Sequence, residues 1–470
     1  MKNANKTIVE IVESWKHTGE SHYSDAEILD WIKEKNQEIT VDVKKIEFPK
    51  DNSGNWYYNR KKKGYVHKSG SFFRIVGAQW NRENELIEQP IIIQNEIGYL
   101  GIICKKINGV LHFLMQAKVE PGNENKVQIS PTIQATRSNF MQVHGGKTPP
   151  YLDYFLASDK YEIIVDQIQS EQASRFYGKR NRNIIIRVED DIDVLASHCW
   201  MTLAQIKRLM KIDNLVNMDT RTVISCIPFS MRNYTYKEHE YMRECMGDSP
   251  LFSSIFESNN EYIGINAVYH YMNSYKMMNR DILNMVNLDE LDTWKLLDDK
   301  EWVCTSRKSD FKVVFCDISI DGREVSSWQQ PLLESCGSAI YGLIYRKKEN
   351  KYEFLVQCVS ELGCFDKIEL GPSVQIGYER QNSQENIVEK IFMERLYKPE
   401  NSIVFDGLFS EEGGRFYHEK NRNVIMEISH GLEEIPPGYF WLDYYTLNVL
   451  IQFNNCLNIQ LRNLLSILDL

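Results

Sequence analysis

The run Gln116-Ala117-Lys118-Val119-Glu120 alternates polar and apolar residues and ends at a Pro121-Gly122 turn followed by Asn123. Read as a strand, it places Gln116, Lys118 and Glu120 on one face. A lysine beside a carboxylate tunes the pKa of both, which serves either proton transfer or a buried ion pair. A second segment, Gln134-Ala135-Thr136-Arg137-Ser138-Asn139-Phe140, followed by His144-Gly145-Gly146 and Tyr151-x-x-Tyr154, offers donors, a cation, an aromatic face and one histidine in a loop,. In the third, Gly178-Lys179-Arg180-Asn181-Arg182-Asn183, alternation sets Arg180 and Arg182 opposite Lys179, Asn181 and Asn183,. The arginine fork suits a diphosphate and the asparagine amides suit sugar hydroxyls or a base edge. The plain alternative is a solvated charge cluster on an edge strand.

Several familiar chemistries are excluded. Gly145-Gly146-Lys147-Thr148 resembles the end of a phosphate loop, but the first glycine of that motif would fall at Met141,. Pro149 and Pro150 then forbid the helix that should meet the phosphates,. No G-x-G-x-x-G follows a strand, and no histidine has a histidine three or four residues away, so neither a dinucleotide cofactor nor a metal is expected. The chain has 470 residues, 43% of them hydrophobic and 26% charged, with a net charge of -10. That balance offers no field for nucleic acid. No apolar run is long enough to span a membrane, and ten cysteines without a C-x-x-C pair read as reduced thiols in a cytoplasmic protein,.

These segments are positioned by an internal repeat. Phe113-Leu114-Met115-Gln116 matches Phe354-Leu355-Val356-Gln357 at an offset of 241 residues, and the offset holds without a gap from Gln89 to Gln134,. At an offset of 240, Ser170-Glu171 and Arg175-Phe176-Tyr177 match Ser410-Glu411 and Arg415-Phe416-Tyr417. Trp200 and Arg221 pair with Trp441 and Arg462. Each copy reads as short strands first and a capped helix last: Thr202-x-x-Gln205 opens a helical pattern, as Ser24-x-x-Glu27 does near the N-terminus,. The expected fold is α+β, two domains from an internal duplication, each a mixed or antiparallel sheet flanked by helices. The expected boundaries are an N-terminal helical extension over 1–50, repeat 1 over 51–226, a helical linker over 227–300 that includes Ile282 to Val286, and repeat 2 over 301–470. In the second copy Lys118 becomes Val359, Arg137 becomes Tyr378, Lys179 becomes Glu419, and nothing answers to His144. The first copy is therefore the richer candidate for catalysis. Gln375, Tyr378, Arg380, Lys420 and Arg422 outline a related ligand site in the second.

The runs Leu114 to Asn123, Gln128 to Phe140, Val143 to Gly146, Gln169 to Gln172 and Lys179 to Asn183 closely resemble the NDP-hexose 2,3-dehydratases of deoxysugar biosynthesis. So do Gly322-Arg323-Glu324-Val325 and Trp328-Gln329-Gln330-Pro331. The resemblance implies two tandem Nudix-like domains, a homodimer, and a dTDP-sugar as substrate. The metal box of Nudix hydrolases is missing, so pyrophosphate cleavage is not expected. It further implies dehydration of dTDP-4-keto-6-deoxyglucose at C2 and C3 to a 3,4-diketo-2,6-dideoxy sugar with no cofactor. A downstream NADPH-dependent 3-ketoreductase would act next. The 4-keto group acidifies the C3 proton, so a base near C3 and an acid near the C2 hydroxyl suffice. On this reading Glu120, Lys118 or His144 form the acid/base pair, and Tyr154 donates a proton or steadies the enolate. Arg137, Arg180 and Arg182 neutralise the diphosphate, and Trp56 or Phe140 stacks on thymine. Gln134, Thr136, Ser138, Asn139, Lys179 and Asn181 complete the substrate set. The competing reading is a non-catalytic nucleotide-sugar-binding or regulatory protein on a degenerate Nudix fold.

Overall fold

The computed structural model describes residues 2–16, 20–83, 85–136, 148–231, 233–257, 261–321, 325–381, 383–398 and 402–469. It consists of two copies of one α+β unit. The first copy's larger sheet runs in the order Glu162–Ser170, Arg180–Arg187, Gly98–Ile107, Val110–Val119, His198–Met201, with Ile133–Ala135 and Val127–Ser130 added on the middle strands. The second copy's sheet has the same plan, built on Ile403–Ser410, Lys420–Glu427, Ile340–Lys348 and Lys351–Val359. Each is mixed, because Gly98–Ile107 and Ile340–Lys348 pair in parallel with Arg180–Arg187 and Lys420–Glu427. Continuous apolar runs such as Ile184-Ile185-Ile186 follow from burial of both faces,. On Val110–Val119, Phe113, Met115, Ala117 and Val119 enter the main core. Leu114 faces the other way, into a cluster under the helix Leu152–Leu156.

The two smaller sheets exchange strands. Ile282–Val286 pairs with Arg74–Arg82 of the first copy, and Val41–Ile46 pairs with Phe311–Ile320 of the second. The registers correspond: Met285 lies opposite Ala78 and Lys45 opposite Cys316. Ile282–Val286, expected to be helical, is thus a strand. Its short apolar run fits either period, and the free edge of Arg74–Arg82 decides between them.

The helices ahead of each copy also correspond. In the helix Lys2–Lys16, Ser14 Oγ donates to the Leu111 carbonyl at 2.6 Å and accepts from the Leu203 amide at 2.9 Å. In Pro250–Phe256, Ser254 Oγ donates to the Tyr352 carbonyl at 2.7 Å and accepts from the Tyr444 amide at 2.9 Å. Both capping boxes read from the sequence are formed, on Asp25–Glu38 and Leu203–Met210. Among the described residues no helix is long and apolar enough to cross a membrane. All ten cysteines are free; Cys104, Cys199, Cys226, Cys316 and Cys456 are buried, while Cys336 is exposed.

The largest hydrophobic cluster contains Phe113 and Met115 of one copy and Phe354 and Val356 of the other. At its centre the helices Met218–Ser225 and Ile459–Ser466 lie together. Arg221 and Arg462, 1% and 0% exposed, reach across. Arg221 donates to the Ser410 carbonyl at 2.9 Å, while Arg462 donates to the Ser170 carbonyl and to Thr222 Oγ1 at 2.8 Å. Burial pushes both guanidiniums below their ordinary pKa, Arg221 to about 10.

Truncating either arginine strands buried carbonyls without a donor. Arg221→Ala and Arg462→Ala are each expected to lower unfolding stability by about 3–5 kcal/mol in urea titrations. Lysine, a point charge on a single stem, should restore little of it.

Candidate active site

Strand Val110–Val119 carries Gln116 and Lys118, both half-buried, on the face opposite Met115, Ala117 and Val119. Glu120 follows at 7% exposure. Its Oε1 accepts from Gln134 Nε2 at 3.2 Å, and Lys118 Nζ donates to the Gln134 carbonyl at 3.3 Å. Lysine and glutamate are therefore linked through one glutamine. Gln134 Oε1 accepts from Ser130 Oγ at 3.0 Å and Asn217 Nδ2 at 3.1 Å, so its amide nitrogen must face Glu120,. Asn217 is the N-cap of Met218–Ser225, and its Oδ1 accepts from the Thr220 amide at 2.9 Å. A helix cap thereby orients the partner of the carboxylate.

The same relay stands in the second copy. Gln375 Nε2 donates to Glu361 Oε1 at 2.9 Å, and Asn458, the N-cap of Ile459–Ser466, donates to Gln375 Oε1 at 3.0 Å. Burial pushes Glu361 up to about 7, against the pull of Arg175 and of its bond from Gln375.

Both sites lie on seams between the copies. The Gly122 amide donates to the Gly413 carbonyl at 2.8 Å and the His418 amide to the Gly122 carbonyl at 2.9 Å. Reciprocally, the Gly363 amide donates to the Ala173 carbonyl at 2.8 Å, and the Gly178 amide to the Gly363 carbonyl at the same distance. A Cβ on Gly122 would lie 1.6 Å from the Phe416 carbonyl oxygen, and one on Gly363 would lie 1.8 Å from that of Phe176. Only glycine permits this approach. The segment that each turn meets carries an arginine that reaches the opposite copy. Arg415 lies 4.1 Å over the Phe73 ring, with Nε donating to Gln94 at 3.2 Å. Arg175 lies 4.3 Å over Phe311 and lines a cavity of about 120 Å³ with Ser174, Asp310, Tyr341, Glu361, Gln375, Tyr378, Glu379, Arg380, Glu419 and Asn421 among its walls.

Lys179 and Asn181 join the first seam. Buried Lys179 donates to the Glu96 carbonyl at 2.6 Å and to Asn181 Oδ1 at 2.8 Å, and Asn181 donates to Glu171 at 2.7 Å. Burial lowers the Lys179 pKa while Glu171 opposes that shift. In the second copy Glu419 replaces this lysine. Burial and then Glu419 drive Glu411 up to about 8, and Asn421 donates to Glu411 at 2.6 Å.

The structure thus brings Lys118, Glu120, Gln134, Lys179 and Asn181 to one seam, with Thr136 beside Asn181 at Gly98. Gln375, Tyr378 and Arg380 line the other. Several expected residues lie elsewhere. Trp56 is 1% exposed and packed against His67, Phe72 and Phe73, which leaves no face for a base. Tyr154 stacks on Tyr161, and its charged neighbours are Asp190, Asp193 and Lys105. Arg180 lies over Phe365, and Arg182 grips Asp166 with two hydrogen bonds of 2.7 Å. Arg422 pairs with Asp406 at 2.6 Å and Lys420 with Glu124 at 2.8 Å. Arg137, Ser138, Asn139, Phe140 and His144 lie outside the described residues. Sequence reasoning missed Arg175, Arg415, Asn217 and Asn458. The repeated Arg-Phe-Tyr was the available signal for the arginines, but it does not tell which copy they serve. Among the described residues no group of three His, Cys, Asp or Glu side chains is placed to hold a metal ion.

The profile of NDP-hexose 2,3-dehydratases matches residues 25–227 and 265–468. The dTDP-4-dehydro-6-deoxy-alpha-D-glucopyranose 2,3-dehydratase of Saccharopolyspora spinosa is 35% identical over 444 residues, 93% of this chain and 89% of its own. Proteins of the same description from Streptomyces violaceoruber and Amycolatopsis orientalis are 34% and 32% identical, covering 87% and 93% of this chain and 90% and 89% of theirs.

His198, opposite Gln116 in the sheet, supplies a pH test of this region. Burial pushes it down to about 4, although its Nε2 donates to the Thr132 carbonyl at 3.0 Å. The unfolded chain takes up that proton near pH 6.5 while the fold refuses it, so stability falls as pH drops from 6.5 toward 4,. Between pH 7 and 5 the loss should be about 2 kcal/mol from this residue. His198→Gln, compared with the parent by urea titration at both pH values, should show a correspondingly smaller difference.

Proposed function

The chain belongs to the NDP-hexose 2,3-dehydratase family, and from that membership we propose how its first seam acts. The enzyme is a hydro-lyase of deoxysugar biosynthesis that removes water across C2 and C3 of dTDP-4-dehydro-6-deoxyglucose. Its 4-keto group makes the C3 proton acidic. Glu120 removes it, and the resulting enolate expels the C2 hydroxyl, which takes up a proton and leaves as water. The enol formed takes a proton at C2 and becomes the 3,4-diketo-2,6-dideoxy sugar. The observation that carries the assignment is the Asn217–Gln134–Glu120 chain, which holds one carboxylate by a donor whose orientation is fixed from a helix cap. Lys118, on the same face, offers its ammonium to the C4 oxygen as charge develops there,.

Arg137 neutralises the diphosphate, with Thr136, Ser138, Asn139 and Asn181 on the sugar and Phe140 on the thymine. His144 is a further candidate for proton transfer. Each copy is read as Nudix-like, and the protein as a cytoplasmic homodimer. Its product carries adjacent ketones at C3 and C4, which an NADPH-dependent 3-ketoreductase consumes next.

Incubation with dTDP-4-dehydro-6-deoxyglucose in heavy water tests the reaction. The product should lack the C2 hydroxyl and carry deuterium at C2 by mass spectrometry and NMR. Glu120→Gln should bind dTDP as the parent does and turn over roughly 10²–10⁴-fold more slowly. Turnover at the parental rate would remove Glu120 from the reaction.

A further inference from the structure

Elimination needs one group to take the C3 proton and another to give a proton to the departing C2 oxygen. In a gluco-configured ring the C3–H and C2–O bonds project to the same face, so the two groups must stand close together on one side of the sugar. Glu120 has such a neighbour, and it comes from the other copy. An added Cβ on Gly414 would lie 2.7 Å from Glu412 Oε1 and 3.3 Å from Glu120 Oε1. The two oxygens therefore stand within about 6 Å, the range in which like charges favour sharing one proton.

We propose that Glu412 is the second proton-transfer residue of the first seam, the acid that protonates the C2 hydroxyl as it leaves while Glu120 accepts the C3 proton. The proposal rests on the dehydratase reading above. The balance closes within the pair: Glu120 begins ionised and ends protonated, Glu412 begins protonated and ends ionised, and one water leaves. Proton transfer between the carboxyls, directly or through solvent, resets them.

Three observations carry it. Glu412 is half-buried, whereas Asp219, another acid in the cluster, is sealed at 2% exposure. Burial drives Glu412 up to about 8; Glu120 and Glu171 add to that, while Arg415 and Lys179 oppose it. That rise favours its protonated form at neutral pH. The third is the comparison within the molecule: Arg175 N bonds the Gln172 carbonyl as Arg415 N bonds that of Glu412, so the second seam has an amide at this place.

Deuterium exchange separates acid from base. In heavy water Glu412→Gln should still exchange the substrate's C3 proton, because Glu120 is intact, while water loss falls by about 100-fold or more. Its dTDP affinity should be unchanged by calorimetry. Glu412→Asp should recover part of the elimination, and its pH–rate profile should lose activity on the alkaline side at a different pH from the parent. Elimination by Glu412→Gln within threefold of the parent overturns the proposal. So does loss of exchange and elimination together in both variants, which marks a structural role. Failure of the parent itself to release water would count against the dehydratase reading.

Discussion

Two guanidinium groups withdrawn from water constrain everything else in this protein. A buried cation costs several kcal/mol unless its donors are met, and Arg221 and Arg462 meet theirs partly on carbonyls of the opposite copy, at Ser410 and Ser170. Those carbonyls end the strands Ile403–Ser410 and Glu162–Ser170. The next residues are Glu411-Glu412 and Glu171-Gln172. Satisfying the arginines therefore sets the position of the acidic segments against the facing sheet. Gln128 reinforces the first arrangement, donating to Ser410 Oγ at 2.7 Å, and Ser170 Oγ reinforces the second, donating to Glu369 at 2.8 Å.

The copies cannot be treated as two independent domains. Each lends the other a strand, and each inserts a Pro-Gly or Leu-Gly turn into the other's Arg-Phe-Tyr segment. The bonds of Gly122 and Gly363 join each turn to that segment through backbone groups. Side chains around them are free to diverge without loosening the scaffold. Glu412 corresponds to Gln172, Lys179 to Glu419 and Lys118 to Val359, while the Glu–Gln–Asn relay is kept in both.

What was legible in the sequence follows from which interactions are local. Capping boxes at Ser24 and Thr202, the alternation around Lys118 and the alternation that sets Lys179, Asn181 and Asn183 opposite Arg180 and Arg182 depend on neighbours a few residues away. The repeat was legible because offset survives divergence. Strand exchange was not, since alternation records that a strand is half-buried and says nothing of its partner. Ile282–Val286 was misread for that reason. Trp56 was misread for another: an aromatic suited to stacking on a base is equally suited to a core, and only the rings of Phe72 and Phe73 around it distinguish the two,. Arg175 and Arg415 were visible as a repeated motif, yet their contacts at Phe311 and at Phe73 and Gln94 lie in the opposite copy.

The count of carboxyls does not decide what either seam can do. Glu361, Asp310, Glu379 and Glu419 line the second cavity, so it is rich in acids. Their placement differs. With Glu419 where the first seam has Lys179, burial raises both Glu411 and Glu419 above the ordinary carboxyl range, Glu419 adding to the rise at Glu411, and both side chains are buried. In the first seam Lys179 opposes the upward push of burial on Glu171, and burial also drives up Glu412, on the loop that crosses from the other copy toward Glu120. A proton donor works only within hydrogen-bond reach of the leaving oxygen. Moving one acid from strand to crossing loop changes which atoms of a bound sugar it can reach, which is how, on the proposal above, one backbone built twice carries elimination on its first seam.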